Sequence, residues 1–319
     1  MSKIVITGGA GFIGSHLAEY FSKTDHEVVV IDNLDPYYSI KLKKRNLSII
    51  LKHGNTRFVK GDICNFNFLK KIIDQNTDFI FHEAAQPGVQ ISVENPYRSS
   101  NINIFGTLNV LKCAINGNVK RVINASSSSV YGKVEYLPFD EKHPTQPISP
   151  YGVSKLTAEH YCRVFYELYD LPIVSLRYFT VYGPRMRPDL AIFIFTREML
   201  KNKKVTVYGD GTKTRDFTYI DDIIKANIKL LKTSKADGKV LNIGSGKRTN
   251  INEIAYCIKK ITESSSKIIH TESKKGDVKD TLANINLAKK LIGYSPSIDL
   301  SKGLLRFVDW YKKSEMLEN

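Results

Sequence analysis

The chain has 319 residues, 42% of them hydrophobic and 25% charged, and its 47 Lys and Arg against 32 Asp and Glu leave a formal net charge of +15. Such a length accommodates two domains, or one large domain with a lobe, around a sizeable core. The basic residues are scattered, with only short clusters at 41–45, 201–204 and 274–275, so a Lys-rich soluble surface that attracts small anions outweighs nucleic-acid binding. Cys64, Cys113, Cys162 and Cys257 form no Cys-x-x-Cys pair; neither a structural metal site nor a disulfide framework is expected. No apolar run reaches the roughly 18 residues of a membrane span. The first apolar run, Ile4 to Thr7, meets glycines at once, unlike a signal peptide, and a reducing cytoplasm is the expected compartment.

Residues 3–7 read as a short buried strand running into Gly8-Gly9-Ala10-Gly11-Phe12-Ile13-Gly14 and then into an amphipathic helix. Gly9, Gly11 and Gly14 satisfy G-x-G-x-x-G, and Gly8, Gly11 and Gly14 recur every third residue. Lacking Cβ atoms, these positions permit a tight turn, approach of a pyrophosphate to backbone N–H groups and close helix–strand packing. Phe12 and Ile13 belong to the same cofactor turn. A second strand over 27–31 ends at Asp32, where a carboxylate accepts both hydroxyls of an adenosine ribose and repels a 2′-phosphate. NAD rather than NADP is therefore the expected cofactor, with Asn33 beside Asp32.

A third strand ends at Asp62 and Ile63, which read equally as an adenine contact or as a turn. A fourth, over 78–82, precedes Glu83-Ala84-Ala85-Gln86, whose small residues let backbone lie against a flat dinucleotide. His82 reads as a packed strand-end histidine. A helix signal covers 101–114, and a fifth strand over 121–125 runs into four consecutive serines. Further on, Tyr151 and Lys155 stand one helical turn apart on one face. An ammonium fixed beside a phenol favours the phenolate, which makes a proton carrier usable near neutral pH. With a sixth strand over 173–179, the alternation predicts an α/β, Rossmann-like doubly wound parallel sheet.

Beyond about residue 180 the pattern changes. Loops rich in Pro and Arg at 183–189, a basic loop at 209–217, a helix capped by Asn250 with Glu253 three residues on, and a basic loop at 274–278 follow one another. This half reads as a smaller α/β lid whose Arg and Lys side chains receive phosphates. The expected division places 1–179, with about 216–246, in the NAD-binding domain. Residues of about 180–215 and 247–319 are expected to form the substrate-binding domain.

The glycine turn, Asp32, Asp62-Ile63, Ala84-Ala85-Gln86, Ser127, Tyr151/Lys155 and Arg215-Asp216-Phe217 occur in the order of the extended short-chain dehydrogenase/reductases. Over almost its whole length the chain resembles the nucleotide-sugar epimerases among them. The resemblance implies that Ser127 binds the sugar hydroxyl, Tyr151 removes its proton, and Lys155 holds the nicotinamide ribose. It adds Asn103 and Tyr178 at the cofactor. At the substrate it implies Gln86, Ser127, Ser128, Tyr151, Thr180, Arg187, Val207, Tyr208, Arg215, Lys274 and Asp277, with Arg215 on the diphosphate. Related dehydratases carry Asp-Glu after the catalytic Ser, and UDP-glucuronate decarboxylases usually a Glu. Ser128 and Ser129 cannot supply that proton chemistry at neutral pH, which leaves redox-neutral inversion at C4 through a 4-keto sugar.

The stretches at 32–38, 126–132 and 180–191 are most similar to UDP-glucuronate 4-epimerases, whereas Gln90 in place of Arg, and Arg185-Met186 in place of Trp-Gly, depart from them. UDP-glucose/UDP-galactose, or a UDP-N-acetylhexosamine, stays open as the substrate. The family also implies a homodimer, with no nucleic-acid or membrane partner. A reading of a different class, a basic and catalytically idle binding or regulatory protein, is opposed by the intact Ser127, Tyr151 and Lys155.

Overall fold

The computed structural model describes residues 1–273 and 278–315. Six predicted strands form: β1 (Lys3–Thr7), β2 (Glu27–Asp32), β3 (Thr56–Lys60), β4 (Thr77–His82), β5 (Arg121–Ser127) and β6 (Ile173–Tyr178). A seventh strand, Val240–Ile243, pairs parallel with β6 at the sheet edge. The order across the sheet is Val240–Ile243, β6, β5, β4, β1, β2, β3. β1 lies between β2 and β4 and is parallel to both, so the strand order reverses beside it and a crevice opens at the carboxyl ends.

The strands are near-continuous apolar runs because both faces are covered by helices. Their alternating side chains feed separate cores: Ile4, Ile6, Val28 and Val30 pack into one, and Val5, Val29 and Ile31 into the other. Helix α1 (Phe12–Ser22) follows the glycine turn. The helix Pro150–Tyr169 opens with Pro at its first position, and Ser149 Oγ accepts the Gly152 N–H at 3.1 Å; this capping fixes where the turn carrying Tyr151 and Lys155 begins. The single helix expected over 101–114 is instead a π-turn, Asn101–Phe105, that leads into the α-helix Gly106–Asn116.

In the second half Thr180–Tyr182 pairs with Phe217–Tyr219, and Val205–Tyr208 with Ile268–Thr271. The predicted cap forms: Asn250 Oδ1 accepts the Glu253 N–H, and Asn250 Nδ2 donates to Glu253 Oε1, both at 2.8 Å. Asp216 is fully buried and gathers the N–H groups of Ser245, Gly246 and Ala283 at 2.7, 2.9 and 3.1 Å. No helix among the described residues is long and apolar enough to cross a membrane.

Candidate active site at the strand ends

The crevice at the carboxyl ends is lined by Gly8, Phe12, Ile13, Gly14, Asp32, Asn33, Asp62, Ile63, Ala84, Ala85, Gln86, Tyr151, Lys155, Tyr178 and Arg187, all named by sequence reasoning. Gly8 has φ +69°, and a Cβ there would lie 2.7 Å from the Ala84 backbone. A Cβ on Gly14 would lie 2.4 Å from Gly8 O, while the Gly11 N–H donates to Gly8 O at 3.0 Å. α1 therefore begins at the crevice, and no side chain caps its first N–H groups; that end suits a pyrophosphate. Asp32 accepts from Leu34 N at 2.8 Å and Ala10 N at 3.1 Å, with Lys43 Nζ 4.0 Å away. Burial raises its carboxyl, and the Lys43 charge opposes that. Asp62 is both a turn residue, accepting from Cys64 N at 2.8 Å, and a crevice residue, accepting from Asn33 Nδ2 at 2.9 Å. This donor set fits a dinucleotide with a free 2′-hydroxyl.

Asn103 is not on the crevice surface. It is 2% exposed and clamps the Gln86 backbone, accepting from Gln86 N at 2.7 Å and donating to Gln86 O at 3.1 Å and Ser154 Oγ at 2.9 Å. It positions Gln86 against the Tyr151 helix, and its side-chain bonds are spent there. The π-turn around it accommodates this inward side chain. His82 is a packed strand-end histidine, bonded to Thr7 Oγ1 at 2.8 Å and Thr107 Oγ1 at 3.0 Å.

At the reacting end Lys155 is 6% exposed, and its Nζ donates to Ala125 O at 2.7 Å. Burial brings the amine down to about 8. Ser127 closes β5 and its hydroxyl donates to Ser129 Oγ at 3.1 Å. The expected low Tyr151 phenol is corrected: burial raises it, Arg187 and the Ser127 hydroxyl pull the other way, and Glu83 adds to the rise. Desolvation wins over the Arg187 charge and the Ser127 hydrogen bond. Glu83, which the sequence reading left without a role, lines the same crevice and accepts the Tyr178 hydroxyl at 3.0 Å. Tyr37, Tyr38 and Lys43 line it as well; the aromatic pair and basic helix after β2 were their only signal.

On the substrate side Arg187 makes a forked pair with Asp189, Nε at 2.9 Å and NH2 at 3.1 Å, and Tyr37 donates to the same carboxylate at 2.9 Å. Ser128 opens a short turn after Ser127, and Thr180 begins the strand Thr180–Tyr182. Val207 is corrected: it is fully buried in the core of the second half, so its side chain cannot meet a ligand, whereas Tyr208 is 48% exposed. The Arg215 guanidinium is turned onto neighbouring backbone, donating to the carbonyl of Thr214 at 2.8 Å and to those of Val278 and Lys279, from a distant segment, at 2.7 and 3.1 Å. A diphosphate would have to replace these carbonyls. Lys274 and Asp277 lie outside the described residues. No cluster of His, Cys, Asp and Glu among the described residues could hold a metal.

The sequence profile described as GDP-mannose 4,6 dehydratase matches residues 5–307. UDP-glucuronate 4-epimerase from Thermodesulfobacterium geofontis is 39% identical over 317 residues, 98% of this chain and 97% of that one. Among solved structures, UDP-glucuronic acid 4-epimerase from Bacillus cereus, in complex with UDP-glucuronic acid and NAD, superposes with a TM-score of 0.93 at 39% identity, over 98% of this chain and 99% of that one. UDP-glucose 4-epimerase from Thermotoga maritima, with UDP-glucose, gives a TM-score of 0.91 at 34% identity, with the same coverage. The glycine turn, the acid after β2 and the Tyr151/Lys155 pair thus stand in a chain that belongs to the GDP-mannose 4,6 dehydratase family of extended short-chain dehydrogenase/reductases.

Proposed function

We propose that the protein is an NAD-dependent UDP-sugar 4-epimerase, with UDP-glucuronate and UDP-galacturonate as the favoured pair. The observation that carries this reading is the composition of the crevice end: Tyr151 and Lys155 line it, the Ser127 hydroxyl is hydrogen-bonded to Tyr151, and the two residues after Ser127 are serines. Bound NAD would accept a hydride from C4 and return it to the opposite face. Tyr151 Oη takes the 4-hydroxyl proton as the carbonyl forms and gives it back after the sugar has turned. Ser127 orients that hydroxyl, and Lys155 supplies a positive charge beside the phenol. No residue at 128 or 129 is able to drive loss of water or of a carboxyl group. Inversion is then the redox-neutral outcome.

The hydroxyls of Ser128 and Thr180, together with Arg187, suit a sugar carboxylate. UDP-glucose is the second reading, and a specific observation favours it: Arg187 already has a carboxylate partner in Asp189. Incubation with UDP-glucuronate and UDP-glucose separately, followed by chromatographic resolution of the 4-epimers, tests both. Conversion of UDP-glucuronate is expected; no conversion of either sugar by NAD-loaded protein sinks the proposal. In this reading Arg215 leaves those backbone carbonyls for the diphosphate. The division into a cofactor domain and a sugar domain is part of this reading, supported by Arg187 of the second half reaching the cofactor crevice. A cytoplasmic homodimer through the helices that carry Asn103 and Tyr151 completes the proposal, supported by the exposure of Tyr97 and Phe105, 86% and 58%.

A further inference from the structure

The scheme above leaves the crevice carboxylate of Glu83 unused. Glu83 follows β4 directly, and the β4–β5 register, which pairs His82 with Asn124, brings it alongside Ala125, whose carbonyl holds Lys155 Nζ at 2.7 Å. Tyr178, at the end of β6, closes the other side with its hydroxyl 3.0 Å from Glu83 Oε1. Asn227 Nδ2 donates both to Ile223 O and to that hydroxyl, each at 2.9 Å. The phenol oxygen accepts from Asn227, and its single proton has two acceptors within reach, Glu83 Oε1 at 3.0 Å and Asn227 Oδ1 at 3.2 Å, of which Glu83 is the nearer. Asn227, Tyr178 and Glu83 form a hydrogen-bonded chain that ends in a carboxylate lining the same crevice as the buried amine.

We propose that Glu83 is a positioning residue for Lys155: its carboxylate, tethered by Tyr178, is the counter-ion that keeps the buried amine an ammonium during turnover. The role of Lys155 in turnover rests on the epimerase reading; the charge pairing does not. Other titratable groups that face the pair are Tyr151, Glu159 and Cys162 from the helix Pro150–Tyr169, Tyr178 from β6 and His82 from β4. Burial lowers Lys155 to about 8, and Glu83 is the first of the charges opposing that fall. Burial likewise raises Glu83 to about 7, against the Tyr178 hydrogen bond and the Lys155 charge. Glu83 is a carboxylate above its value and Lys155 an ammonium below its own, so both charges coexist between about 7 and about 8. Falling pH ends that window at Glu83; rising pH ends it at Lys155.

Glu83→Gln removes the charge at nearly constant volume, so Lys155 releases its proton at lower pH. The direct measurement is NMR titration of the full-length protein labelled with 13Cε-lysine, the Lys155 resonance being assigned by its loss in Lys155→Met. A wild-type midpoint near 8 is expected to fall by about one pH unit in Glu83→Gln, with melting temperature and NAD content as folding controls. The wild-type Lys155 resonance should also inflect near 7, as Glu83 titrates, and this observation needs no Glu83 variant. An unmoved midpoint in a folded Glu83→Gln protein overturns the pairing, as does a wild-type curve without the lower inflection. In turnover, the alkaline limb of kcat should move down in Glu83→Gln, while KM for the sugar changes less than about twofold. No UDP-sugar enters the titration, so its outcome is separable from failure of the epimerase reading.

Discussion

At the Tyr151 oxygen, burial and the Glu83 charge disfavour the phenolate, while Arg187 and the Ser127 hydroxyl favour it. Each unit by which the phenol must come down corresponds to about 1.4 kcal/mol of preferential interaction with its ionised form. Tyr151→Phe keeps the ring and deletes the only proton acceptor assigned to the sugar hydroxyl. Its kcat is expected to fall by about 10²–10⁴-fold, with bound NAD, measured by chromatography of the denatured protein, unchanged; a rate within about tenfold of wild type would remove Tyr151 from proton transfer. The pair Tyr151/Lys155 was legible in the sequence because four-residue spacing on a helix is a local signal. Glu83 was not: its partner Tyr178 is 95 residues away in the chain, and a lone acid after a strand has no periodicity to mark it. Burial was the other hidden quantity. Spacing alone predicts a lowered phenol, and only the enclosure of the crevice shows desolvation to be the larger effect.

In the second half Asp216 ties the 245–246 and 283 segments to its own strand connection. Its carboxylate takes three backbone N–H groups, and it also receives the Ser245 hydroxyl at 2.7 Å and that of Thr218 at 3.2 Å. It lies next to Arg215, and with the pairing of Thr214–Arg215 to Thr249–Asn250 it helps to anchor that segment. Asp216→Ala leaves the buried Ala283 N–H and Thr218 hydroxyl without this acceptor, at a cost of about 1–3 kcal/mol each. Calorimetry should show a melting transition lowered by several degrees, and the surviving folded enzyme should need more UDP-sugar to saturate. An unchanged melting temperature would show that other groups hold the 245–246 and 283 segments. The motif Arg215-Asp216-Phe217 was recognisable in the sequence, and so was the Asn250 cap, because both are contiguous signals. The direction in which Arg215 points was not: its carbonyl partners at 278–279 come from a distant segment. The inward turn of Asn103 was likewise not legible, because the run Asn103-Ile104-Phe105-Gly106-Thr107 reads the same whether its first residue faces a ligand or a backbone.

Across the whole molecule, the parallel sheet, its reversal beside β1 and the crevice there were predictable from strand–helix alternation, since each strand is an apolar run between turn signals. How the two halves close over that crevice was not, because closure depends on side chains brought together from separate loops. Tyr37, from the segment after β2, donates to Asp189 at 2.9 Å, and Asp189 also pairs with Arg187. Burial pushes the Tyr37 phenol up to about 12, so it stays a donor through the working pH range. The Tyr37 hydroxyl is also 2.8 Å from where a Cβ on Gly88 would stand, and Gly88 has φ +103°; the tyrosine is thus packed between the halves along the roof of the cofactor crevice. A redox-neutral cycle benefits from a cofactor that stays through many turnovers, and this bond has to open before the crevice can. Tyr37→Phe removes it at a cost of about 1 kcal/mol, which corresponds to roughly fivefold faster loss of NAD. Release can be followed by transferring NAD-loaded protein into a large excess of a scavenging dehydrogenase and timing the appearance of free cofactor. Asp189→Asn, which also loosens Arg187, should release NAD at least as fast as Tyr37→Phe. Equal release rates in wild type and both variants would mean that the crevice opens elsewhere.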